Sequence, residues 1–122
     1  MSEFRFEGLN IWKLSIEIAD NLFDIADIAE GRKYYRFAEQ LRAATMSISN
    51  NIAEGSGSFS DKDFANYLVI SRKSVFECAN ILILFLRRKI ITNEIKEKEY
   101  NDLQYLSKMI TNFRKSLINN NK

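Results

Sequence analysis

Apolar side chains recur every three or four residues in four separate stretches, and nowhere in strict alternation, so the chain reads as helices without strands. The first stretch predicts a helix over about residues 10–29, with Asn10 as N-cap and Gly31 just past its end, where glycine is favoured. One apolar set, Trp12, Ile16, Ala19, Phe23 and Ala26, steps by four and three. A second set, Ile11, Leu14, Ile18, Leu22, Ile25 and Ala29, lies beside it. Together they form a stripe wider than one antiparallel neighbour needs, which calls for two neighbours or a partner subunit.

A second helix is expected over about residues 34–54, burying Tyr34, Phe37, Ala38, Leu41, Ala44, Ile48 and Ile52. Its later half is rich in small residues, Ala43, Ala44, Ser47, Ser49 and Ala53, which let another helix approach closely. The third, over about 60–88, opens on Ser60 as cap with Asp61 and Asp63 in the positive first turn. Phe64, Leu68, Ser71, Val75, Cys78, Leu82 and Phe85 then follow a four-three alternation, the seam of a bundle. A second series, Val69, Phe76, Ile83 and Ile90, repeats every seven residues on another side and predicts a central helix, apolar around most of its circumference. A fourth helix over about 94–118, capped by Thr92 or Asn93, aligns Leu103, Leu106, Ile110, Phe113 and Leu117, and the tail INNNK is expected to fray. Four helices with short connections predict an all-α, antiparallel up-and-down four-helix bundle, a single domain over residues 1–122.

Composition agrees with helices and removes most chemistry. There is no proline to break a helix, and 46% of residues are apolar, enough for one core. With no histidine and one cysteine, the usual zinc sets and the Ser-His and Cys-His pairs cannot be assembled, and no disulfide can form within the chain. No two carboxylates stand apart from ordinary helix-surface positions, so the expectation is no catalytic residue, no metal and no cofactor. Cys78 falls on the core seam, where a thiol is ordinarily a small buried apolar group. The amino-terminal residues lack the pattern of a secretory signal, and the longest apolar run, Ile81 to Leu86, is far shorter than the roughly 20 residues that span a bilayer. A cytoplasmic protein without membrane contact is expected.

The net charge of +2 is unevenly divided. Residues 1–31 carry two basic and seven acidic side chains, −5, and the remainder 16 basic and nine acidic, +7. Such polarity can steer an anionic partner or serve self-association. The cations group as Arg32, Lys33 and Arg36, then Arg72 and Lys73, then Arg87, Arg88 and Lys89. Each group alone reads as solvated surface. Repeated around a symmetry axis, such a group becomes a ring of charge able to engage several phosphates, RNA or DNA, with a strong salt dependence. These eight residues are the nucleic-acid-binding candidates, and the alternative is a protein-interaction scaffold.

The segment GSGSFS between the second and third helices lacks the Gly-Lys-Ser/Thr ending of a phosphate loop, and Asp61 and Asp63 would repel a phosphate. It reads as a corner, with Gly55 or Gly57 in the left-handed conformation. Glu54 meets the negative end of the second helix there and should find a compensating partner across the corner or across a subunit boundary.

Gln40-Leu41-Arg42-Ala43-Ala44, then Ser47-Ile48, then Asn51-Ile52-Ala53-Glu54-Gly55 resemble the hallmark of the small bundle proteins encoded in 23S rRNA intervening sequences, the S23-type family. Downstream, Ser60, Phe64, Leu68, Ile70, Ser74 and Glu77 fall where that family's third helix expects them, and Trp12 fits its first-helix aromatic. Lys73 stands where the family usually has glycine, and Ala79 where it commonly has an acidic residue. The resemblance implies a four-helix bundle that assembles into a ring-like homopentamer. The chain is also similar to the accessory subunit of diversity-generating retroelements, a pentameric bundle associated with a reverse transcriptase and nucleic acid. The family motif points to Gln40, Arg42, Asn51, Glu54, Gly55, Ser60, Ser74 and Glu77 as structural positions.

Overall fold

In the structure, a computed structural model that describes residues 4–119, a short 3-10 turn (Arg5–Gly8) leads into four helices. They are α1 (Asn10–Gly31), α2 (Tyr35–Ser56), α3 (Asp61–Arg87) and α4 (Asn93–Asn119). Each packs on its neighbour in sequence and α4 returns to α1, while neither diagonal pair meets. The connections are too short to cross the bundle, so neighbours run antiparallel in an up-and-down square. Of the tail expected to fray, Ile118 and Asn119 are helical, and the rest lies outside the described residues.

The four-three seam of α3 is the core: Phe64, Leu68, Ser71, Val75, Cys78, Leu82 and Phe85 are all buried. Leu41, Ile48 and Ile52 of α2 and Leu103, Leu106 and Ile110 of α4 close on it. Most of the wide stripe of α1 is used within the chain, with Ile16 and Phe23 half-buried at its edge. Ile11, Ile18, Leu22, Ile25 and Ala29 are buried between α2 and α4, and Trp12 is covered by Phe6, whose ring centroid lies 5.0 Å away. Both neighbours of this helix therefore belong to the same molecule.

The second α3 series is the main departure from expectation. Phe76 is 55% and Ile83 36% exposed, and Ile90 is buried only because it lies beyond the helix, in the turn to α4. The square geometry is the reason: α3 has two neighbours rather than three, so its outer side faces solvent. No helix is central.

The caps differ in detail. Ser60 accepts from the Asp63 N–H at 3.1 Å and Thr92 Oγ1 from the Ile95 N–H at 3.2 Å, as their side chains allow. Asn10, in contrast, is already helical, and the N-cap is Leu9, whose extended backbone (φ −84°) carries the chain out of the 3-10 turn. Neither glycine at the corner is left-handed, because α2 runs through Gly55 and closes at Gly57 with φ −86°. Gly55 serves close packing. A Cβ there would sit 2.7 Å from Tyr67 Cβ and 2.8 Å from Phe64 Cδ1, so only glycine lets α3 come this near.

Candidate nucleic-acid interface

At the end of the bundle where α1 and α3 finish, both helices close in the same way. The Tyr34 N–H reaches Ala29 O at 2.9 Å and the Lys33 N–H reaches Glu30 O at 2.9 Å. The Ile90 N–H likewise reaches Phe85 O and the Lys89 N–H Leu86 O, each at 2.9 Å. These are paired Schellman closures, which need one left-handed residue each. That residue is lysine both times, Lys33 at φ 71° and Lys89 at φ 59°, and not Gly31, which stays helical. A side chain in this conformation costs about 1 kcal/mol that glycine would avoid.

The two closures touch: Arg32 Nη1 donates to Lys89 O at 2.6 Å, and its guanidinium also covers the Tyr34 ring at 5.7 Å. Arg36 lies in the first turn of α2 and Arg87 in the last turn of α3. Two groups more than fifty residues apart, Arg32, Lys33 and Arg36 with Arg87, Arg88 and Lys89, thus become one exposed basic end. Cations suit helix C-termini, which is the local reason Arg32, Arg87 and Arg88 sit there. None of the six is in an ion pair; among the described residues the paired cations are Arg42, Lys96 and Lys98. The acidic side chains near this end are Glu30, in the last turn of α1, and Glu39 of α2, both paired with Arg42, and Glu94 in the first turn of α4.

Arg72 and Lys73 do not join that end. They sit midway along α3, exposed, with the Arg72 guanidinium 4.6 Å above the Phe76 ring. Sequence reasoning missed Lys108, Arg114 and Lys115 of α4, which line the groove beside them. The seven-residue spacing of Lys108 and Lys115, which puts them on one helix face, was the available signal.

The motif residues gather elsewhere, on the outer face where α2 meets α3. Asn51 Nδ2 donates to Ser47 O at 2.8 Å and Ser47 Oγ at 3.1 Å, and Ser74 Oγ lies 2.7 Å from Ser47 Oγ. Gln40 and Glu54, seven residues either side of Ser47, share its helix face, and Glu77 follows Ser74 by one turn. Arg42 is turned the other way, onto α1, where Asp27 at 2.7 Å and Glu30 at 2.8 Å hold its guanidinium more firmly protonated than usual. Glu54 is exposed and has no partner across the corner among the described residues, contrary to that half of the expectation. Arg5 lines the same shallow cleft as Glu54, but its guanidinium leans over the Phe64 ring at 5.1 Å instead of pairing with the carboxylate.

The model of the 23S rRNA-intervening sequence protein family matches residues 7–112. This chain belongs to that family. Its bundle is similar to the crystal structure of a protein of unknown function from the S23 ribosomal protein family of Bacteroides thetaiotaomicron. The TM-score is 0.81 at 27% identity, over 86% of this chain and 98% of that one. None of the curated proteins is detectably similar in sequence. Asn51 and Ser74, from the run that resembles the family's, form a hydrogen-bonded helix contact through Ser47, while the cations occupy different surfaces. Among the described residues no helix is long and apolar enough to cross a membrane, and no three metal-ligating side chains come together.

Cys78 touches Thr45 Oγ1 at 3.8 Å, and burial pushes its thiol from near 9 up to about 12. A thiol held protonated in the core is no nucleophile at neutral pH. A buried carboxylate that the periodicity did not flag, Glu99, accepts from Asn21 Nδ2 and Lys98 Nζ, each at 3.3 Å, and ties α4 to α1.

Proposed function

We propose that this protein is a non-catalytic, self-associating bundle that binds nucleic acid electrostatically through its basic end. The observation that carries the reading is the convergence of six exposed, unpaired cations from two distant segments. Lysine at both left-handed positions adds to it, because local stability alone favours glycine there. A phosphate backbone supplies counter-charge to these unpaired cations, and because phosphate contacts carry no sequence information, binding through them is expected to be weakly sequence-dependent.

The test is RNA binding by fluorescence anisotropy over a salt series, comparing the wild type with Lys33→Glu/Lys89→Glu. The wild type should bind at low salt and weaken steeply as salt rises, while the double variant loses at least about tenfold in affinity at low salt. A flat salt response, or equal binding by the variant, overturns the reading.

Self-association rests on a different surface. Ile70 and Leu84, 48% and 46% exposed, flank the Ser47–Ser74 contact on the same face as Glu54 and Glu77, whose carboxylates lack partners among the described residues. A second copy, or in the scaffold reading another protein, would cover the apolar pair and satisfy the acids. Light scattering should give an oligomer that Ile70→Glu dissociates. A strict monomer at micromolar concentration contradicts self-association.

A further inference from the structure

The groove between α3 and α4 holds two clefts in succession, of about 290 and 250 Å³, which share Arg72 as their common wall. Their linings differ in kind. The first is largely apolar and aromatic, with Val75, Phe76, Ala79, Tyr100 and Leu103, and carries an amide at Gln104. The second is cationic, where Lys73, Arg114 and Lys115 join Arg72. Lys108 stands at the rim of the first. No carboxylate lines either cleft, and none of these five cations is in an ion pair among the described residues. Phe76 is more than half exposed, so its ring lines the first cleft open to an incoming flat group.

We infer that this groove binds single-stranded nucleic acid, a base entering the aromatic cleft and the neighbouring phosphates the cationic one. A base is flat and apolar on its faces and polar at its edge, which suits the Phe76 ring, the Arg72 guanidinium plane above it and the Gln104 amide. The shared Arg72 sits where base and phosphate meet. From Leu68 to Ala79 the groove runs roughly 16 Å at ~1.5 Å per residue, enough for a short run of nucleotides. Clefts of this size between two helices admit an unpaired base but exclude a duplex. The inference deepens the nucleic-acid reading above by naming single strands as the form bound, yet it rests on a different surface from the basic end.

The experiment measures binding of labelled oligo(U), oligo(dT) and an RNA duplex to the full chain by anisotropy, with uridine monophosphate as competitor. Phe76→Ala and Phe76→Tyr probe the ring, Lys73→Gln/Lys115→Gln the cationic cleft, and Lys33→Glu/Lys89→Glu the basic end; all are surface changes whose folding circular dichroism checks. Phe76→Ala should weaken single-strand binding about tenfold, Phe76→Tyr should restore it, and neither should change duplex binding. Lys73→Gln/Lys115→Gln should flatten the single-strand salt dependence by roughly one unit of slope. Equal loss with oligo(U) and oligo(dT) supports the groove for either backbone, and loss with one alone names which strand it takes. If Phe76→Ala and Lys73→Gln/Lys115→Gln leave single-strand binding intact while Lys33→Glu/Lys89→Glu abolishes it, the groove is overturned and the basic end stands. The reverse pattern overturns the basic end and keeps the groove. Competition by uridine monophosphate as effective as by oligo(U) overturns the strand in favour of a free nucleotide.

Discussion

Lys33 and Lys89 put conformation and charge in conflict at single residues. Each occupies a left-handed position at a helix closure where glycine is cheaper. Lys33→Gly and Lys89→Gly should therefore each raise stability by about 0.5–1 kcal/mol in urea unfolding, while weakening polyanion binding. A loss of stability in either would mean that the lysine side chains hold the closures together. Gly55 is the opposite case, a glycine kept for space. Gly55→Ala should cost about 1–3 kcal/mol, because its Cβ would fall 2.7 Å from Tyr67 Cβ. Cys78 gives a pH signature. Its thiol pKa is raised in the folded state, so the protonated form is favoured there; that contribution is fully present below about 9 and is lost as the pH rises towards about 12. The wild-type urea midpoint should fall more between pH 8.5 and pH 11 than that of Cys78→Ala, and parallel midpoints would show that the thiol is not buried as described.

Among the helices, the three- and four-residue periodicity made the seams legible, and α3 buried all seven residues of its own. What periodicity could not supply was the number of neighbours. A seven-residue apolar series looks the same whether a helix covers it or water does, so Phe76 and Ile83 read as core until the square arrangement left them outside, with Val69 half-buried. For the same reason the width of α1 called for either two neighbours or a partner subunit, and α2 and α4 are the two neighbours within the molecule. Substituting Ile83 with Ser should consequently change stability by no more than about 0.5 kcal/mol, against about 3 kcal/mol for Leu82→Ala one residue earlier. Thermal unfolding separates the two, and a comparable loss at both would restore the central-helix reading. Glycines misled for a related reason: sequence identifies where glycine is, not whether it is there for its torsion angles or for its missing side chain.

For the molecule as a whole, the candidate site was legible only in pieces. Each basic group was visible along the chain, but their meeting depends on Arg32 reaching Lys89 O across 57 positions of sequence, which no local pattern encodes. The resemblance, by contrast, pointed to the right family from sequence, and among its residues Asn51 and Ser74 meet at the α2–α3 contact around Ser47 rather than on the cationic surface. The core residues and the proposed phosphate-binding cations are different residues, so variants that remove charge should keep the helical circular-dichroism signal of the wild type. Electrostatic binding to nucleic acid is read most simply from the slope of log affinity against log salt for a short unstructured RNA and the wild-type protein. Neutralising about four to six phosphates, at roughly 0.7 per phosphate for a single strand, predicts a slope between about −3 and −4. A slope near zero, or no binding at low salt, would mean that these cations do not hold a nucleic acid.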